Sequence, residues 1–192
     1  MNLRDQIGYD ETVLWSGRKA VRVSVFEAIF NPMLIIAAIW FVVDMGFMRS
    51  IPMGSMAFFM VPFFLLHLMP VWLYLGGVIT AALKAKNTEY LITDKGIYIQ
   101  SGILSRRVEM KPFTDLSHVA VNIGVFDRMF KTGDVVSECH GHAAMNISNI
   151  DDYEKVFKLV KELQESIYSD TMYPNDMRPA ENHGYRTKYV GK

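Results

Sequence analysis

The chain has 192 residues, 51% of them hydrophobic, with 20 basic residues balancing 20 acidic ones and a single cysteine. That length holds one ordinary domain plus a small membrane unit. The charge balance excludes a basic nucleic-acid-binding protein, and the lone Cys139 excludes an internal disulfide framework and suits a reducing cytoplasm.

Residues 1–24 are polar and of mixed charge and read as a cytoplasmic N-terminal segment. Residues 25–83 hold two long apolar stretches, about 25–48 and 56–83. Each is near or above the roughly 20 residues a helix needs to cross a hydrocarbon core of about 30 Å, so the spacing predicts a two-helix transmembrane hairpin. A cleaved signal peptide is the alternative for the first stretch, with Ser55-Met-Ala57 as a weak cleavage motif. The mixed charges that precede it, including Asp5, Asp10 and Glu11, make a poor n-region. Arg18, Lys19 and Arg22 precede the hairpin and Lys84 and Lys86 follow it, whereas the connecting loop, about Asp44 to Ser55, carries only Arg49. Lys/Arg asymmetry over short loops sets orientation, which places both termini in the cytoplasm of a multi-pass inner-membrane protein. Pro32, Pro62 and Pro70 predict kinks, and Gly76, Gly77, Ala81 and Ala82 give the second span a small-residue patch for close helix approach.

From Thr88 the period changes. Residues 84–168 read as a cytoplasmic domain of short strands: Tyr90–Thr93, a turn at Asp94-Lys-Gly96, Ile97–Gln100, Leu104–Lys111, Ser117–Ile123, Asp134–Cys139 and Ala143–Ile147. In the third strand Leu104, Val108 and Met110 share one face, with Ser105, Arg107, Glu109 and Lys111 on the solvent face and Arg106 breaking the apolar face. Gly124 to Thr132 reads as irregular. A helix then begins near Asn149 or Asp151, with an apolar stripe of Tyr153, Val156, Phe157, Val160, Leu163 and Ile167. Antiparallel strands closed by one amphipathic helix predict a small α+β barrel or sandwich. Residues 169–192 lose periodicity and read as a disordered tail.

Tyr90-Leu-Ile-Thr-Asp-Lys-Gly-Ile-Tyr-Ile99, Gly102-Ile-Leu and Val125-Phe-Asp-Arg-Met-Phe-Lys-Thr-Gly133 resemble the bacterial pleckstrin-homology (PH) membrane proteins of the YdbS-like group, and Glu11-Thr-Val-Leu-Trp-Ser-Gly17 resembles the segment before their first span. The likeness covers residues 9–168; Arg18-Lys-Ala20 departs from the proline and small residue frequent there. The resemblance implies a PH-like bent barrel of seven strands capped by a C-terminal helix, and no enzyme activity.

Candidate chemistry is sparse. Cys139, His140 and His142 are weak zinc candidates, short of the four ligands a structural site needs even with His118 nearby, and the bland reading is a polar turn. Met45, Met48, Met53, Met56 and Met60 crowd the outer loop, where thioethers suit Cu(I) but serve equally as flexible filler. His67 is the intramembrane polar candidate, while Glu27 and Asp44 read as span-end groups. Lys95, Arg106, Arg107 and Lys111 form a basic stretch that either contacts the membrane surface or lies on a solvated sheet face. No catalytic motif, cofactor site or small-molecule substrate is identified. The expectation is a membrane-anchored, non-catalytic module that binds a protein, a peptide or its own copies; the alternative is an oligomeric transport or channel subunit.

Overall fold

The computed structural model describes residues 3–9, 11–50, 57–141 and 143–172. The chain divides into two compact units: one gathers the residues before Ser24 and after Leu83, and the other is Ser24–Leu83.

In the first unit the surprise is β1 (Val13–Arg18). The stretch expected to be a separate N-terminal segment contributes an edge strand to a four-stranded antiparallel sheet, with β2 (Glu89–Thr93), β3 (Gly96–Ser101) and β4 (Arg107–Pro112) in the order β1-β2-β3-β4. The ladder joins Arg18 to Glu89, Gly17 to Tyr90 and Ser16 to Leu91. Everything between Arg18 and Glu89, including the whole second unit, is therefore an insertion between two paired strands. The Trp15 ring lies over Gly17, two residues away on the same face, where a Cβ would force the ring to move aside.

The second sheet is β5 (Leu116–Asn122), β6 (Gly133–Cys139) and β7 (Met145–Ile150), in that order. Tyr90 Oη receives the Ser148 N–H at 3.1 Å and so ties the two sheets together. The core between them holds Tyr90, Ile92, Ile97, Phe113, Leu116, Val135, Met145, Ile147 and Ile150. The C-terminal helix, which we number α6 (Tyr153–Met172), closes that core with Val156, Val160 and Leu163, each fully buried. Phe157, placed on the same stripe by its spacing, is only partly buried. Tyr153 lies over Gly133, where a Cβ would sit 2.7 Å from its ring.

The outer face of the first sheet is covered as well. Leu3 packs on Leu91 and Tyr98, with Ile7 and Val108 beside them. Tyr98 Oη donates to the Glu11 carboxylate at 3.0 Å. Alternation along β3 thus sends Ile97 to the main core and Tyr98 to this smaller one.

β4 departs from its expected phase. Leu104 lies in the loop before it and is fully exposed, and Met110 is exposed too, whereas Lys111 is buried opposite Ile97. The long Lys111 stem runs inward and its ammonium escapes to the Ala143 carbonyl at 2.9 Å. Arg106 breaks no strand pattern, because it precedes the strand. The stretch read as irregular contains a short helix, α5 (Val125–Phe130). Its one acid, Asp127, turns inward: Oδ2 accepts from the Gly124 N–H at 2.8 Å and Oδ1 from the Thr132 hydroxyl at 2.7 Å.

In the second unit the apolar stretches are each broken. α1 (Val21–Ile29) begins within the first unit and ends before Asn31-Pro32; α2 (Met33–Ser50) restarts there. The Asn31 side chain accepts from the Met33 N–H at 2.7 Å, and Pro32 directly precedes the helix, where no N–H is needed. α3 (Ala57–His67) and α4 (Met69–Lys86) meet at Leu68 with a 51° bend. Pro70 lacks the N–H that would continue the ladder and accounts for the bend. α2 is long and apolar enough to cross a membrane, with 11% of its length buried, and the bent pair passes the same test taken together. The turn expected at Pro52-Met-Gly54 lies outside the described residues, as does the tail beyond Met172.

Two stability outcomes follow. Leu163→Ala should lose about 2–5 kcal/mol in chemical denaturation, as for a buried large-to-small change. Replacing residues 24–83 by a short Gly/Ser turn should leave a folded soluble domain, whereas a fragment of residues 87–172, which lacks β1, should melt lower or aggregate through the bared β2 edge.

Candidate functional site

The strongest built polar site lies inside the second unit. His67, at the last turn of α3, places Nδ1 2.8 Å from Asp44 Oδ1 on α2. The Asp44 side chain is 3% exposed and that of His67 is 40% exposed. Sequence reading put Asp44 at a span end, free to reach headgroups. α2 instead continues to Ser50, so Asp44 falls within the helix and turns toward His67. Asp44 Oδ2 is buried without a hydrogen-bond partner among the described residues.

Aromatic groups fix the imidazole. Phe63, one turn earlier, stacks on it with ring centroids 5.2 Å apart and an interplanar angle of 18°; Trp40 lies 5.2 Å away on another side. The same Trp40 donates its indole N–H to the His67 carbonyl at 2.7 Å, and Trp72 donates to the Leu65 carbonyl at 3.0 Å. Both carbonyls belong to the turn where Pro70 interrupts the backbone ladder, so the two indoles satisfy groups that the break sets free. Chemically the pair can hold a proton between two titratable groups, or serve as a polar clasp between α2 and α3.

The four basic candidates do not form one patch. The register aligns Arg18 with Glu89, Glu89 with Gln100, and Ser101 with Arg107. Arg106 and Arg107 therefore stand at the end of the sheet from which the inserted segment leaves and to which it returns. Lys95, in the β2–β3 turn, and Lys111, opposite Ile97, stand at the other end. Arg107 also pairs with Glu109 at 2.8 Å, and Lys111 is buried.

Cys139 is half-buried, with Sγ 4.0 Å from the Ser137 carbonyl, and His140 is exposed. His142, with Met53 and Met56, lies outside the described residues. Among the described residues no group of three or more His, Cys, Asp or Glu side chains could hold a metal ion. A cavity of 390 Å³ that sequence reading did not anticipate opens beside β1 and β2, lined by Leu3, Arg4, Gly17, Arg18, Glu89 and Leu91 among others. Arg18 and Glu89 form an ion pair at 2.5 Å within this lining.

Two antiparallel sheets with the helix α6 across their core are the architecture of a PH-like domain. The bacterial PH domain family matches residues 28–164, and the chain belongs to that family. PH domains are in general non-catalytic modules that engage proteins or lipids. No match was found among curated proteins or among solved structures.

Burial pushes the Tyr98 hydroxyl up to about 12, helped by its hydrogen bond to the Glu11 carboxylate, which favours the neutral phenol. Its folded value lies above the unfolded value of about 10. The stability that this bond contributes is complete below about pH 10 and is lost as pH rises through about 12. Alkaline unfolding followed by circular dichroism should show a loss over that window, smaller in Tyr98→Phe.

Proposed function

We propose that the protein is a non-catalytic PH module held at the inner face of the bacterial cytoplasmic membrane by a transmembrane hairpin, where it binds a protein partner, a peptide or its own copies. One observation carries this reading: β1 and β2 pair along a ladder that joins Arg18 to Glu89. Two strands of one sheet lie on the same side of any membrane, so the segment between them crosses an even number of times. α2 is long and apolar enough to cross. If it does, the chain must return before Glu89, and the bent pair α3–α4 is the segment available. Backbone groups at a broken span need internal partners in lipid, and the Trp40 and Trp72 indoles supply them. Arg18, Lys19, Arg22, Lys84 and Lys86 flank the insertion on the side of the sheet, which supports cytoplasmic termini.

On intact cells or right-side-out vesicles, a membrane-impermeant maleimide should modify a Ser50→Cys probe and spare native Cys139 until the membrane is opened. Modification of Cys139 alone would invert the topology, and modification of both in sealed vesicles would remove the membrane hairpin.

A second reading rests on the Asp44–His67 pair, in which Asp44 is buried and His67 partly exposed. Ionisable pairs at membrane depth mark proton or ion pathways, and two spans enclose a pathway only when several copies assemble. His67→Gln separates the two. An amide replaces a hydrogen-bonding imidazole with modest loss but does not titrate near neutrality. As a structural clasp, the pair tolerates His67→Gln with membrane assembly retained and no ion flux from either form in reconstituted vesicles. Proton flux in the parent that vanishes in His67→Gln would favour the transport subunit.

A further inference from the structure

We infer that α5 and the residue before its cap form a second, interfacial contact with the anionic inner leaflet, and so fix the tilt of the PH domain on the membrane. The inference rests on the membrane hairpin proposed above. Ile123, Val125 and Met129 are 41%, 82% and 58% exposed, an apolar group concentrated within seven residues of chain. Arg128 and Lys131, interleaved with them, are exposed as well. The acid of this helix is withdrawn: Asp127 is 3% exposed and spends both oxygens on the Gly124 N–H and the Thr132 hydroxyl. α5 therefore offers apolar side chains and cations outward, the combination that favours an acyl boundary beneath anionic headgroups.

The position of α5 is what selects a lipid surface over a soluble partner. The Arg22 guanidinium lies over the Phe130 ring, 6.0 Å from its centroid, and Arg22 also pairs with Asp151. Arg22 stands two residues before Ser24, where the inserted unit begins. Arg22 thus ties α5 to the stretch of chain that immediately precedes the inserted unit. Asp151, the acid in this cluster, is held by Arg22, and the Asp134 carboxylate accepts the Asn149 N–H at 2.7 Å. Lys131 closes the helix in the left-handed region at φ 58°, which holds this turn in one shape.

The test uses the full chain with Cys139→Ser in nanodiscs of phosphatidylcholine and phosphatidylglycerol. Single probes at Val125→Cys, Met129→Cys, Thr114→Cys and Val42→Cys carry an environment-sensitive fluorophore, and brominated phosphatidylcholine is the quencher. All four sites are exposed, so labelling leaves the core intact. A face sunk about 5–10 Å into the headgroup–acyl boundary should lose emission about twofold at Val125→Cys and Met129→Cys. Thr114→Cys, at the opposite end of the first sheet, should be unchanged. Val42→Cys on α2 reports the hairpin separately: no quenching there removes the membrane reading itself. Quenching at Val42→Cys without quenching at Val125→Cys overturns the interfacial contact alone. Emission at Val125→Cys that follows the number of chains per disc, and not the bromine content, would assign the face to a second copy and overturn it too.

Discussion

The hydrogen-bonded ladder between β1 and β2 is the constraint on which the remaining architecture depends. It joins residues about 70 positions apart in sequence and makes them immediate neighbours. Because both ends of the insertion leave from adjacent points on one sheet edge, the inserted unit needs to satisfy only one geometric condition: that its ends come close together. Any insertion whose two ends lie close together meets that condition, so an apolar segment of such length can interrupt a β domain between two paired strands. Cutting the sequence at the change in hydrophobic period would divide the chain into a leader, a hairpin and a domain. The ladder instead makes the leader part of the domain.

The first sheet is protected on both faces, and different parts of the chain do the protecting. α6 and the second sheet cover the inner face with Val156, Val160, Leu163 and Ile147. The outer face relies on a short N-terminal segment, anchored by Leu3 and by the Tyr98–Glu11 hydrogen bonds. Tyrosine suits that position because its ring fills the small core while its hydroxyl reaches an acid at the rim. The close packing of aromatic rings on Gly17 and Gly133 explains the glycines at those positions in chemical terms, since neither has a positive φ to justify it.

Most of the β series was legible in the sequence because β2, β3, β5 and the terminal helix each carry a clean period. The membership of β1 was not, because its partner is distant and its exposed and intermediate positions alternate only loosely, with no residue fully buried. The β4 phase was misread for a related reason: a lysine opposite Ile97 looks solvent-facing by residue type, and only a carbonyl acceptor across the fold makes its burial tolerable. α5 is too short for a helical period to emerge, although Asp127 three residues after Gly124 is a local signal of a helix start. His67 was visible as a polar residue in an apolar run. Its partner Asp44 was not, because the connecting loop was taken to begin at Asp44, although α2 runs on to Ser50. The basic stretch looked continuous in sequence, yet strand reversal sends its halves to opposite ends of the sheet.

The insertion also sets a timetable for synthesis. β1 leaves the ribosome first and has no partner until Glu89 has followed it. At about 5–20 residues per second that interval lasts roughly 4–14 s. During it Trp15 and Leu14 have no sheet to pack on, and when β2 emerges its pairing edge stays bare until β1 reaches it. Were the inserted segment to cross a bilayer only once, the two strands would be held on opposite sides and the sheet left incomplete. Completion of the β domain therefore waits on the whole inserted unit.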